Sequence, residues 1–156
     1  MRKGAIKMSC NCNNRKSGAQ KYNFSSQALT TTPTPLNMGF SAGLPSGSAV
    51  IDRNNNIGIA RTGMYRLTAQ VIAAVTTAGT LNIQAYYDGK ALDPTLKTVP
   101  VAVGSTEISL DNLLYLVVPN GCNCADVVYP IDIYAWVSGA GAASITSLTV
   151  NVLKEA

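Results

Sequence analysis

Residues 56–75 read NIGIARTGMYRLTAQVIAAV. Ile57 and Ile59 alternate with other residues and Gly63 interrupts. Tyr65, Leu67, Ala69, Val71 and Ala73 then recur at every second position, with Arg66, Thr68 and Gln70 between them. A period of two is that of a strand with one buried face. Val, Ile and Thr are frequent and no apolar set recurs at three and four, which speaks against a helix. The stretch predicts a short strand, a corner at Gly63 and a long half-buried strand.

The same period organises much of the remaining chain. Leu81, Ile83, Ala85 and Tyr87 alternate with Asn82, Gln84 and Tyr86 up to Asp88-Gly89, a hairpin signal. Residues 97–103 and 107–110 read as short strands around Gly104-Ser105. The continuous apolar run 113–118, ended by Pro119-Asn120-Gly121, reads as a strand covered on both faces. Over residues 127–137, Ile131, Ile133, Ala135 and Val137 share one face and Asp132, Tyr134 and Trp136 the other. Ile145, Leu148, Val150 and Val152 mark another strand. Before residue 56 the signal is weaker. Two prolines in TTTPTPL suit edge strands in residues 22–44, residues 49–52 predict a short strand, and RNNN at 53–56 a polar turn. Eight or more short strands between Gly, Pro and Asn turns, without an amphipathic helix, predict an all-β sandwich or barrel.

The arrangement Ile-x-Ile, three residues, Gly-x-Tyr-x-Leu-x-Ala-x-Val resembles the central strand region of C1q/TNF-like jelly rolls. The resemblance spans residues 47–156 and implies a jelly-roll β-sandwich that forms a homotrimer. The outer face of its long strand would look toward the threefold axis. It thereby places Thr68, Gln70 and Ile72 at the trimer interface. Tyr86, Tyr134 and Trp136 share the parity of polar residues, so they face outward and join the expected interface.

Composition strengthens the case for assembly. The 156 residues suffice for one domain with a proper core. Charged residues make up 13%, against roughly 25% in an average soluble domain, while apolar residues make up 47%. No apolar run approaches the length of a membrane span, so the deficit of charge points to surface hidden in an oligomer. The charge that exists is uneven. Arg2, Lys3, Lys7, Arg15, Lys16 and Lys21 precede any acidic residue, and the rest of the chain carries six basic and eight acidic residues. Residues 1–21 are therefore expected to form a basic, extended arm, and residues 22–156 the sandwich. The arm suits an acidic protein surface. Nucleic acid is a poorer fit, since no aromatic interleaves the early charges.

Chemistry finds little support. The chain has no histidine, and its acids mostly adjoin turns, so no catalytic residues and no cofactor are expected. Asp52-Arg53-Asn54-Asn55-Asn56 begins like a calcium loop but has Ile57 where glycine is needed and Gly63 where the bidentate glutamate is needed. Two matching pairs, Cys10/Cys12 and Cys122/Cys124, could in principle supply four thiolates to a metal or form a bridge. A one-residue spacer is tight for zinc, and residues 1–8 lack the apolar core of a secretory signal, so free thiols are the first expectation. C1q/TNF-like domains without such a signal are similar to trimeric knobs and decoration proteins of bacteriophage virions. That likeness implies a non-enzymatic structural protein located in the virion, held by its arm to a capsid or other virion protein. A receptor-binding or adhesin module contacting host glycan or protein, and a spore-coat-like bacterial surface protein, are the alternatives.

Overall fold

A computed structural model describes residues 17–41, 49–119 and 127–155. In chain order the strands are β1 Gly18–Asn23, β2 Gln27–Ala28, β3 Thr34–Pro35, β4 Phe40–Ser41, β5 Val50–Arg53, β6 Asn56–Ile59, β7 Gly63–Thr77, β8 Gly79–Tyr87, β9 Lys90–Ala91, β10 Lys97–Val101, β11 Gly104–Leu116, β12 Tyr129–Ser138 and β13 Ala142–Lys154. A 3-10 turn, Asp93–Thr95, lies between β9 and β10. Sheet one has the order β11-β7-β13-β1-β4, with β2 also on β13. Sheet two has the order β10-β8-β12-β6-β5, with β3 on β12 and β9 on β8. Every pairing is antiparallel. The sheets bury one face each against the other, which makes the molecule an all-β jelly-roll sandwich.

The predicted corner is where the sandwich turns from one sheet to the other. β6 belongs to sheet two and β7 to sheet one. The Tyr65 side chain is fully buried, and its hydroxyl donates to the Arg61 carbonyl at 2.6 Å, closing the corner. Burial raises the Tyr65 pKa far above the usual tyrosine value, so the phenol remains a donor. Nearby, the Thr62 hydroxyl accepts from the Val118 amide at 2.9 Å and pins the segment that follows β11. Along β7 the inward residues Tyr65, Leu67, Val71 and Ala73 are inaccessible to solvent and belong to the same core cluster as Ile83, Ile133 and Val150 from other strands.

Two strand readings change. Residues 107–110 and 113–118 are not separate strands, because β11 pairs with β7 without a break from Gly104 to Leu116. Asn112 caused the division, being a polar residue at an inward position. Its amide reaches the sandwich rim and donates to the Pro94 carbonyl at 3.2 Å. Nor is the run 113–118 covered on both faces within the chain, since Leu113, Tyr115 and Val117 are exposed while Leu114, Leu116 and Val118 are buried. In β13, the three-residue step from Ile145 to Leu148 is a bulge. Its register against β7 slips between Ile145 and Ser147, which returns both residues to the core.

Turns and approaches follow local chemistry. Asp88 and Gly89 both take positive φ, 52° and 77°, as the two-residue turn between β8 and β9 requires. At one end of the sandwich, Gly79 passes so close to Gly141 that a Cβ on Gly79 would lie 2.4 Å from the Gly141 Cα.

The boundary of the sandwich falls earlier than residue 22. β1 begins at Gly18, pairs with β13 from Gly18↔Leu153 to Asn23↔Leu148, and includes Lys21. Lys21 is 2% exposed, and its Nζ donates to Asp52 Oδ1 at 2.6 Å and to the Arg53 carbonyl. Ser17 adds a second tie, its hydroxyl accepting from the Val50 amide at 3.0 Å. These side chains bind β1 of sheet one to β5 of sheet two.

Candidate functional site

The sandwich has two outward sheet faces. On sheet one, antiparallel register aligns residues of β11, β7 and β13 in rows: Leu113, Arg66 and Leu153; Asp111, Thr68 and Asn151; Ser109, Gln70 and Thr149. Arg66 Nη1 meets Asp111 Oδ1 at 2.7 Å, and Gln70 Nε2 donates to Glu107 Oε2 at 2.7 Å. Both contacts are exposed and each contributes at most about 1 kcal/mol. Thr68, Ser109, Thr149 and Asn151 are shorter than these flanking pairs and line a shallow hollow of about 270 Å³. Toward the Gly63 end the face turns apolar. Tyr115 is 63% exposed, with Leu113, Val117 and Leu153 also exposed. Tyr115 lies opposite Met64, one row beyond Leu113. This fringe is absent from the predicted interface because residues 113–118 read as wholly buried. Parity with Arg66 and Thr68, once β11 is aligned to β7, is the signal that finds it.

On sheet two the outward face is covered in part by the chain itself. Tyr86 and Tyr134 stack with ring centroids 3.7 Å apart and planes 13° from parallel. Trp136 stands two residues along β12, opposite Asn82. Asn82 and Gln84 are buried despite their outward parity. Asn82 Nδ2 donates to Ser138 Oγ at 3.2 Å, its Oδ1 accepts from the Thr98 hydroxyl at 2.8 Å, and Gln84 Nε2 donates to the Leu92 carbonyl at 3.3 Å. Beside the tyrosine stack, β3 and the residues after it lie along β12, since Pro35 pairs with Tyr134. A cleft of about 380 Å³ opens there, between Leu36 and Asn37, the β5–β6 turn at Asn55 and Asn56, and Asp132 and Tyr134 of β12. Asn55 holds the turn with φ of 69°. Asn56 Oδ1 is buried and has no hydrogen-bond partner among the described residues. Burial raises the Asp132 carboxyl above its ordinary value, against an opposing pull from Arg53. The Tyr134 phenol is raised by burial first, then by Asp132 and Tyr86.

The six predicted interface residues do not come together. Thr68, Gln70 and Ile72 lie on the outward face of sheet one, whereas Tyr86, Tyr134 and Trp136 lie on that of sheet two, across the core. Parity identified the outward direction correctly but could not tell one sheet from the other. Lys21, predicted for the arm, is a buried member of β1. Arg2, Lys3, Lys7, Arg15, Lys16, Cys10, Cys12, Cys122 and Cys124 lie outside the described residues. Among the described residues no group of three or more His, Cys, Asp or Glu side chains is placed to hold a metal.

Neither a family model nor a curated protein matches the sequence. Solved structures do match the fold. PRD1 vertex protein P5 is similar at 15% identity with a TM-score of 0.58, over 89% of this chain and 96% of that one. Murine APRIL at pH 8.0 is similar at 12% identity with a TM-score of 0.62, over 90% and 100%. The Eiger TNF of S. frugiperda is similar at 10% identity with a TM-score of 0.56, over 90% and 92%. The fold is therefore a jelly roll of the C1q/TNF-like kind, as the residue pattern around Gly63 implies.

Proposed function

We propose that the chain is a non-enzymatic virion structural protein, a homotrimeric head-decoration or fibre-knob protein held to the particle by its N-terminal arm. The observation that carries the reading is the outward face of sheet one. Its long central strands bear a shallow polar hollow and an uncovered apolar fringe of Leu113, Tyr115, Val117 and Leu153. A face of this kind is stabilised by a second copy, because apolar side chains leave water and the small polar residues let a partner approach closely. The threefold arrangement comes from the resemblance to C1q/TNF-like jelly rolls, and the virion setting from the fold-level likeness to a phage vertex protein. Thr68, Gln70 and Ile72 then lie near the axis, with Tyr115 beside them. Tyr86, Tyr134 and Trp136 face away.

Multi-angle light scattering on the purified chain tests the assembly. A mass three times that of the 16.3 kDa chain is expected, and Tyr115→Asp should shift it toward one protomer while Trp136→Asp should not. The attachment is tested by co-sedimentation with purified particles, comparing the full chain with a version lacking residues 1–16. Equal retention of both would refute the anchoring arm, and a stable monomer at micromolar concentration would refute the trimer.

A further inference from the structure

The cleft on sheet two lies across the core from the proposed trimer face, and its lining is selective in what it offers. Two acceptors in it lack protein donors. Asn56 Oδ1 is buried and unpartnered among the described residues, and the Asp132 carboxylate, half withdrawn from water, has no hydrogen-bond donor there either. A ligand that fits must bring donors. Asn37 contributes the opposite character. Its Oδ1 already accepts from the Gly39 amide at 3.0 Å, which leaves its Nδ2 to donate to a ligand. The remaining wall is apolar or aromatic, formed by Pro35, Leu36 and Tyr134. Tyr134 is held by its stack on Tyr86, so this wall is in place before any ligand arrives.

We infer that this cleft binds a neutral pyranose, the terminal unit of a surface glycan. Adjacent hydroxyls of such a sugar donate to the Asp132 carboxylate and to Asn56 Oδ1, another hydroxyl oxygen accepts from Asn37, and its C–H face rests against Tyr134 and Leu36. The volume of about 380 Å³ lies at the small end of the roughly 300–1,000 Å³ typical of ligand pockets. That suits one sugar unit and little more. A metal ion is the poorer occupant, since the cleft offers one carboxylate and its apolar wall has nothing to coordinate. The carboxylate disfavours acidic sugars by like-charge repulsion. The cleft lies on the sheet opposite the proposed trimer face, so its occupation does not depend on the trimer.

Saturation-transfer NMR on the full chain, with methyl glycosides of glucose, galactose and mannose, with N-acetylneuraminic acid, and with calcium chloride in a separate titration, tests the assignment. At least one neutral glycoside should receive saturation at its ring C–H protons. Asp132→Asn, nearly isosteric and so compatible with the shape of β12, should weaken that glycoside tenfold or more, and Tyr134→Ala should do so as well. Tyr115→Asp on the opposite sheet should leave it unchanged even where it alters the oligomer mass. The inference is overturned if no neutral glycoside binds, if the acidic sugar binds in their place, or if calcium alone perturbs Asp132 and Asn56. It is equally overturned if binding survives both substitutions in chains whose circular dichroism matches the parent.

Discussion

The outward faces of the two sheets obey the same alternation and end in different surroundings. On sheet one, Arg66, Thr68 and Gln70 stand on strands that no other described segment crosses, and what lies between their side chains is a hollow open to a partner. On sheet two, Asn82 and Gln84 have the same outward parity yet are buried: Leu92, on the connection between β8 and β10, takes up the Gln84 amide, and Thr98 of β10 and Ser138 of β12 take up that of Asn82. The residues around β3 build a cleft wall beside Tyr134 in the same way. Parity decides which side of a sheet a residue occupies. What covers that side is decided by connections whose own sequences have no period.

The sharpest break in the comparison comes from two substitutions on one strand. Leu67→Asp places a carboxylate among residues with no solvent access, at a cost of more than about 4 kcal/mol, and the folded state should be lost. Gln70→Asp forfeits a hydrogen bond and sets a like charge diagonally across from Glu107, so the protomer should fold and its assembly weaken. Far-UV circular dichroism separates them; equal loss of strand signal in both would show that the face of sheet one is no outer face.

The tie between the sheets gives the next largest effect. Removing residues 1–16 leaves β1 whole, whereas removing residues 1–21 takes away most of β1 and the Lys21 contact with Asp52. The second truncation should lose about 3 kcal/mol or more, a fall in Tm of roughly 6–12 °C relative to the first. Thermal melts that coincide would return Lys21 to a detachable arm.

A smaller contrast concerns the surfaces alone. Tyr86→Ala removes a stacked ring and should cost about 1 kcal/mol beyond the area it buries. Thr149→Ala, beside the open hollow of sheet one, should change the stability of the protomer by less than about 0.5 kcal/mol. Denaturant midpoints of monomeric variants carrying Tyr115→Asp measure both.

The smallest effect is a pH dependence at Asp132. Burial raises its folded pKa above the unfolded value, so the folded chain binds the proton more tightly than the unfolded chain. Its contribution to stability is present below the unfolded pKa, roughly 4, and is lost as pH rises through the folded pKa. Asp132→Asn should accordingly be more stable than the parent at neutral pH, with the advantage vanishing in acid. A parent that is the more stable at neutral pH would mean that Asp132 is stabilised where it sits.

Legibility followed the number of elements a feature needs. The strand, corner and strand from Asn56 to Thr77 were readable because one buried face and one glycine suffice to specify them. β11 reads as two strands because Asn112, a polar inward residue, mimics a turn, and the Pro94 carbonyl that takes up its amide lies on another segment. The apolar fringe of Tyr115 was hidden inside a run whose alternate members are buried. The sheet-two cleft was the least readable feature. It joins residues 35–37, 55–56 and 132–134, and the first two segments carry no periodic signal by which to align them.

The place of β13 in sheet one has a consequence for synthesis. It lies between β7 on one side and β1 and β2 on the other, although it follows them all in sequence, and β12 is similarly central in sheet two. As the chain leaves the ribosome, β1, β5, β6, β7 and β8 emerge before the strands that join them, with unpaired edges and uncovered apolar faces. Pairing of Gly18 with Leu153 closes a loop that spans nearly the whole described chain, so folding is dominated by distant contacts and should be slow. Ribosomes that stop before β12 therefore release fragments suited to aggregation rather than to partial folding.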